Sequence, residues 1–400
     1  MRALSDIESF YVEIDISIVT SSHIQGSVSI EILRKALHLV VMRHPLLTAR
    51  IIKKSKSLYF ENIPEFEVPF KIYENTKIHA IEQEVLNVPL DIESGLIRVN
   101  LLLSPNKAVL ITKFHHAIGD GLSSIELHKE ILQTYADLAE NKTSKAPALA
   151  LMPSIEDLLS GSVSSSEISD YARKYAEFAD SISPQVLPPE KEESAQTIDF
   201  VQMKLNRNEL HSLLKQCKAQ HTTVHGAICA AHLLAIRELL NKNQQPIDLC
   251  CHSAMDIRSR MDSPITKEHM ISGAWGWAGC YSVDLNTSLW SLAKQMSDDL
   301  KKIIANKDLF KRTLSFSNLK KQIPIALYVT NIGNIEIPKR YNHLTLKEIY
   351  FIPAYRKSIF VAAIGTFNNQ LYIHYPYLKP YYSSKLISKI ANRAKALLLP

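Results

Sequence analysis

The stretch Phe114-His115-His116-Ala117-Ile118-Gly119-Asp120-Gly121 constrains this chain more than any other. Before it, the apolar-rich runs Leu96–Leu102 and Ala108–Phe114 flank Ser104-Pro105-Asn106-Lys107, which predicts a β-hairpin. After it, Ile125, His128, Ile131, Leu132, Tyr135 and Leu138 recur at helical spacing, which predicts a helix from about Leu122. A strand that passes through a glycine-bracketed loop straight into a helix holds the loop side chains rigidly at a sheet edge, where a site can form. Gly119 and Gly121 are expected to let the backbone turn sharply there.

Two histidines, an aspartate and a glycine at fixed offsets arise by chance in a chain this long on the order of once per thousand sequences. The residues alone permit three readings. Adjacent histidines plus an acid are metal-binding types, but neighbours on an extended segment point to opposite sides and no third and fourth ligand stands at zinc spacing. A buried polar turn with structural histidines is the second. The third is general-base acyl transfer: a thioester carbonyl is already activated, so a site need only hold donor and acceptor together and remove the attacking proton, which a neutral histidine does near pH 7. The chain has no GxSxG elbow, Walker loop or Rossmann glycines, so a covalent serine, ATP or NAD is not indicated.

His115-His116-Ala117-Ile118-Gly119-Asp120-Gly121 resembles the HHxxxDG signature of the condensation-domain superfamily. That group includes nonribosomal-peptide condensation domains, stand-alone acyltransferases such as alcohol acetyltransferases and phthiocerol dimycocerosyl transferase, and more distantly the BAHD and chloramphenicol acetyltransferases. Other segments resemble the group in the same order. They are the opening Leu4–Phe10, Arg43-His44-Pro45-Leu46, Pro89–Arg98, Pro153–Leu159, Thr222–Ala231, Met255–Arg260, Ser272–Tyr281 and Tyr328–Gly333. Trp275 and Trp277 depart from the usual pattern of the Ser272–Tyr281 region, and the C-terminal DFGWG motif of the BAHD enzymes does not occur.

The resemblance implies an α/β fold of two chloramphenicol-acetyltransferase-like lobes in a V-shaped pseudo-dimer with an inter-lobe tunnel. It implies His116 as the base, His115 as a shaper of the loop, and Asp120 turned from the base to pair with Arg258. Gly121 would lend a backbone N–H to the oxyanion and Asn331 would line the channel. By the same resemblance the donor is an acyl-CoA or an acyl chain on a phosphopantetheinyl carrier protein, used as co-substrate with no bound cofactor and no metal. The acceptor is a small-molecule alcohol, giving an ester, in the setting of lipid, polyketide or other secondary metabolism. The alternatives are an amide-forming condensation enzyme with an amine acceptor, and a non-catalytic binding protein on the same fold.

Elsewhere the residues read more plainly. Leu4 to Ile18 alternates loosely and predicts a strand or two; Ile30 to Met42 predicts a helix with Ser29 as N-cap. His44 is expected to anchor a loop and His225 to sit in a core, and turn chemistry accounts for Asp91 and Glu93. From Asn141 to Thr197 the pattern dissolves into Ser, Pro, Lys and Glu around two short helical pieces, which divides the chain into an N-terminal lobe, 1–140, a linker, 141–197, and a C-terminal lobe, 198–400. In that last part a helix capped by Asn206 and Glu209, a long helix to about Asn241, a helix from Thr287, a strand pair turned at Asn368-Asn369 and a closing helix are expected.

Five cysteines with no CxxC spacing predict reduced, mostly buried thiols. The absence of an apolar run of roughly 18 residues or of an apolar leader predicts a cytoplasmic protein with no transmembrane segment, and a monomer is expected. A net charge of +6 is modest, and nucleic acid is not an expected partner. The densest basic run, Lys301, Lys302, Lys307, Lys311, Arg312, Lys320 and Lys321, reads as solvated surface, with docking of an acidic carrier protein or of CoA as the alternative.

Overall fold

The computed structural model describes residues 1–142, 147–191, 196–240, 245–261, 265–319 and 321–399. The chain divides into two compact units: Met1–Leu158 with Asp262–Gly273 and Asn334–Arg356, and Leu159–Met261 with Ala274–Gly333 and Lys357–Pro400. Residues 265–273 and 334–356, which a contiguous C-terminal lobe would contain, therefore pack with the first unit. Strand pairing rather than chain order decides this, since Leu344–Ala354 pairs antiparallel with Ser17–Gln25. Parts of the expected linker, 143–146 and 192–195, lie outside the described residues, as do Asn241 and Lys320.

The first unit is built on a six-stranded sheet in the order Arg340–Tyr341, Leu344–Ala354, Ser17–Gln25, Lys107–His115, Ile97–Ser104, Phe70–Glu74. The predicted hairpin supplies its fourth and fifth strands, with Ser104 opposite Lys107 and Asn106 in the left-handed conformation that a tight turn favours. Lys107–His115 is buried along all but its first residue, as its apolar run requires of a strand covered on both faces. The helix Gly121–Ala139 packs on this sheet and on the helix Ile30–Arg43, whose Leu33, Ala36, Leu37, Val40 and Val41 are buried as the periodicity predicts. Each such leucine or valine contributes about 1.5–3 kcal/mol by leaving water.

Between Leu4 and Ile18 the structure corrects the expected strands: Asp6–Glu13 is a helix. Its cause is local, a capping box in which the Ser5 side chain accepts from the Glu8 N–H while the Glu8 carboxylate accepts from the Ser5 N–H. Loose apolar alternation over so short a stretch yields to that cap.

The second unit repeats the plan with a six-stranded sheet in the order Ala274–Val283, Ile247–Asp256, Leu327–Asn334, Val361–Phe367, Gln370–Lys379, Thr197–Leu205. Its core helix Val224–Leu240 is buried for most of its length and packs on Leu289–Ala305 and Ser384–Leu398. The expectation of reduced thiols fails at one pair: Cys250 and Cys280 form a disulfide, while Cys217, Cys229 and Cys251 are free and buried. The two bridged residues, 30 apart in sequence, are made direct cross-strand partners by antiparallel pairing. Among the described residues no single helix is long and apolar enough to cross a membrane; Arg207–Ala219 and Val224–Leu240 pass together only as a pair bent by 97°.

Candidate functional site

The strand Lys107–His115 delivers the histidine loop by ending at His115, after which His116–Ile118 make one 3-10 turn. The strand's two internal polar residues each have a structural task. Thr112 Oγ1 lies 2.8 Å from Nε2 of the buried His128. The buried Lys113 ammonium donates to the carbonyls of Val85, Leu86 and Val88 at 3.0, 3.1 and 2.7 Å, closing the C-terminal end of the helix Ile78–Asn87, and burial pushes it down to about 8.

His115 and His116 take opposite roles. His115 is buried, its Nδ1 accepts from the Ala117 N–H at 3.2 Å, and burial pushes it down to about 4. His116 keeps part of its surface; its backbone N–H donates to Ile16 O, its ring stacks on Tyr11 with centroids 4.3 Å apart and planes 13° apart, and Nδ1 lies 3.2 Å from Ser272 Oγ. The Tyr11 phenol is hydrogen-bonded to Ser272 in turn, and burial raises it well above its ordinary value while that bond lowers it.

Asp120 caps the next helix. Oδ1 accepts from the Ser123 N–H at 3.1 Å, and Oδ2 accepts from the Gly273 N–H at 2.9 Å. Ser123 Oγ donates to Ile271 O at 3.0 Å. One side chain thus starts the helix Gly121–Ala139 and ties down the segment that carries Ser272. Gly121, the first helical residue, presents one of the N–H groups that a helix leaves over at its positive end. Gly119 is extended, at φ 177° and ψ 171°, so the turn expected of it is not why it is glycine. Space is the reason: a Cβ there would stand 2.8 Å from Met270 Cε and 3.0 Å from the Phe114 ring.

Arg258 and Asn331 stand in the second unit. Arg258 is buried and donates to Asp256 Oδ1 at 2.8 Å; Asn331 Oδ1 accepts from the Gly333 N–H at 2.9 Å. His44 anchors its loop through a 2.7 Å contact from Nε2 to Glu130 Oε2. Asp91 accepts from the Glu93 N–H and the Ser94 hydroxyl, which is turn chemistry. The basic run is met by acids: Lys301 by Asp298, Lys302 by Asp299, Lys311 by Asp308 and Lys321 by Asp180, while Arg312 lies over the Tyr175 ring. Among the described residues no three His, Cys, Asp or Glu side chains are grouped to hold a metal ion.

Two residues at the loop escaped the sequence reading. Tyr11 rides on the short helix whose signal was the Ser5–Glu8 capping box. Ser272 is 156 residues from His116; it opens the Ser272–Tyr281 segment that resembles the family, but nothing local ties it to the histidine loop.

Residues 16–255 match the family model of the condensation domain, and residues 194–375 that of the phthiocerol/phthiodiolone dimycocerosyl transferase C-terminus. A phthiocerol/phthiodiolone dimycocerosyl transferase from Mycobacterium ulcerans (strain Agy99) is 22% identical over 275 residues, which span 66% of this chain and 63% of that protein's length. Among solved structures, polyketide synthase associated protein 5 from Mycobacterium tuberculosis superposes with a TM-score of 0.79 at 16% identity, covering 100% of this chain and 97% of the other. Trichothecene 15-O-acetyltransferase from Fusarium sporotrichioides does so at 0.78 and 13%, covering 100% and 95%. The first condensation domain of the CDA synthetase gives 0.79 and 12%, covering 100% and 95%. At these identities the likeness shows the two-lobed α/β fold.

Proposed function

The chain belongs to the condensation-domain family, and from that premise we propose that it is an acyltransferase that moves an acyl group from a thioester donor to a hydroxyl acceptor, with His116 as general base. The observation that carries the reading is the His116 ring itself: part-exposed, stacked on Tyr11 and held at Nδ1 by Ser272, two residues past the end of a buried strand's last internal side chain and beside a helix N-terminus. In the reaction the acceptor O–H proton passes to His116 Nε2 as the oxygen adds to the thioester carbonyl. The tetrahedral oxyanion collapses, the C–S bond breaks, and the thiolate takes the proton from the imidazolium. The Gly121 N–H is the backbone donor proposed for the oxyanion, and Asp120 positions rather than reacts. The supporting roles that the resemblance gives Arg258 and Asn331 belong to the same proposal.

A hydroxyl acceptor is favoured because a structural neighbour is a 15-O-acetyltransferase. An amine acceptor is the second reading, favoured by the condensation-domain neighbours. The donor is an acyl-CoA or an acyl carrier protein. Purified protein incubated with a panel of acyl-CoAs and acyl-pantetheine carriers should release free thiol only when an alcohol is supplied. Release that depends on an amine instead selects the second reading, and no release with any pair defeats both.

A further inference from the structure

Resting on the reading of His116 as base, we propose that Ser272 is the positioning residue that sets its tautomer. Ser272 Oγ accepts a hydrogen bond from Nδ1–H, which leaves the reactive lone pair on Nε2. The pair is 3.2 Å apart and Ser272 is buried. A serine hydroxyl has one proton and two lone pairs, so it can accept from the imidazole while its own proton goes to the Tyr11 oxygen, to which it is also bonded. In the proposed arrangement both bonds run the same way, from the imidazole N–H to Ser272 and from the Ser272 O–H to Tyr11.

Ser272 is not a casual neighbour of the ring. On one side of it the Ile271 carbonyl receives the Ser123 hydroxyl, and on the other the Gly273 N–H is taken by Asp120 Oδ2. Met270, one step further, fills the space that a side chain at position 119 would need. Residues 270–273 are therefore held by Gly119 and Asp120 of the loop and by Ser123 of the helix that follows it, and the stretch 265–273 within the first unit delivers one hydroxyl to Nδ1. In this account Asp120 acts on the base through Ser272, as a second positioning residue. His115 provides an internal contrast. Its Nδ1 is an acceptor, from the Ala117 N–H, so its proton sits on Nε2, and adjacent imidazoles carry opposite tautomers.

The test is 15N NMR of histidine-labelled full-length protein, with His116→Gln to assign the His116 signals. Wild type should show His116 protonated on Nδ1 and His115 on Nε2. Ser272→Ala should move the His116 population toward the Nε2–H form several-fold, and Ser272→Thr, which keeps the hydroxyl, should restore it. In kinetics Ser272→Ala should lower kcat about ten- to hundredfold with the donor KM unchanged within twofold. The acid limb of kcat/KM should move to lower pH, because a bond from Nδ1–H favours the imidazolium and its loss disfavours it. A wild-type ring protonated on Nε2, a tautomer unmoved in Ser272→Ala, or an acid limb that moves up overturns the assignment. Failure of the general-base reading appears separately, as wild-type transfer by His116→Gln, and leaves the NMR result to decide the tautomer by itself.

Discussion

Among the described residues, His116, His128 and His225 each meet a serine hydroxyl, and His116 and His225 do different things. In the first unit Nδ1 of His116 meets Ser272; in the second Nε2 of His225 lies 2.9 Å from Ser253 Oγ and 3.4 Å from Cys229 Sγ. On residue types alone the second group is the more suggestive, since a cysteine beside a histidine is the makings of a nucleophile. Its surroundings disarm it. Desolvation pushes His225 down to about 4 and lifts the Cys229 thiol well above its ordinary range, so the pair is held as a neutral imidazole and a neutral thiol. His225 opens a core helix whose Gly226, Ala227 and Ala230 lie against neighbouring elements, whereas His116 occupies a single 3-10 turn between a strand and a helix. Residue identity offers the chemistry in both places and both rings keep part of their surface; the partner each ring meets and the element that carries it are what differ.

The strongest way to break this contrast is to remove each ring. His116→Ala is expected to lower transfer roughly a hundredfold to ten-thousandfold with an unchanged circular dichroism spectrum. His225→Ala should keep transfer within a few-fold while losing about 1–3 kcal/mol in urea unfolding. The reverse pattern would move the active centre to the second unit.

The glycines sharpen the same comparison at lower cost. At Gly226 a Cβ would stand 2.6 Å from the Ala293 carbonyl oxygen and 2.2 Å from Ser297 Oγ, so two helices must part. Gly226→Ala should destabilise by about 3 kcal/mol despite the better helix propensity of alanine. At Gly119 the nearest obstacle is the flexible end of Met270. Gly119→Ala should therefore cost only about 1 kcal/mol, yet slow transfer by displacing the segment beside Ser272. Differential scanning calorimetry with steady-state kinetics separates the two, and equal effects on activity would remove the distinction.

Acid should then act on buried rings in both units. Burial holds His128 and His252 down to about 3, and His115 and His232 to about 4. An unfolded chain protonates the same groups near pH 6.5. Below that pH the unfolded state binds more protons, so stability is full above about 6.5 and declines toward the folded values, by roughly 1.4 kcal/mol per pH unit for each ring. His128, between Ser22 Oγ and Thr112 Oγ1, is the cleanest probe. Urea midpoints of His128→Gln between pH 7.5 and 5 should fall less steeply than those of the wild type, and parallel slopes would show that His128 is not kept neutral.

The smallest effect is expected from the basic run. Lys301 and Lys302 are exposed and already meet Asp298 and Asp299 on the same helix. Reversing both to Glu should leave the donor KM within twofold at low and moderate salt. A rise of tenfold that salt abolishes would make the run a docking surface.

What the sequence determined by itself was local. The hairpin before the loop, the helix after it, and the caps at Ser29, Asn206 and Asp91's turn are short-range signals, in which a polar side chain meets a backbone group two or three residues away or an apolar period matches an element. The order of motifs carried the family as well, because each motif is a local pattern. Tertiary structure decided the rest. Ser272 reaches His116 across 156 residues, Cys250 meets Cys280 through strand register, and residues 334–356 join the first unit through a strand pairing with Ser17–Gln25. No window of sequence contains both partners of such contacts, and a lone serine or cysteine carries no period or cap to announce them. Tyr11 lies between these cases, with its helix legible in Ser5 and Glu8 and its place against the His116 ring set by packing alone. Hydrogen bonds near in sequence form whatever the fold; those at the base exist only once the sheet has brought distant strands and their loops together.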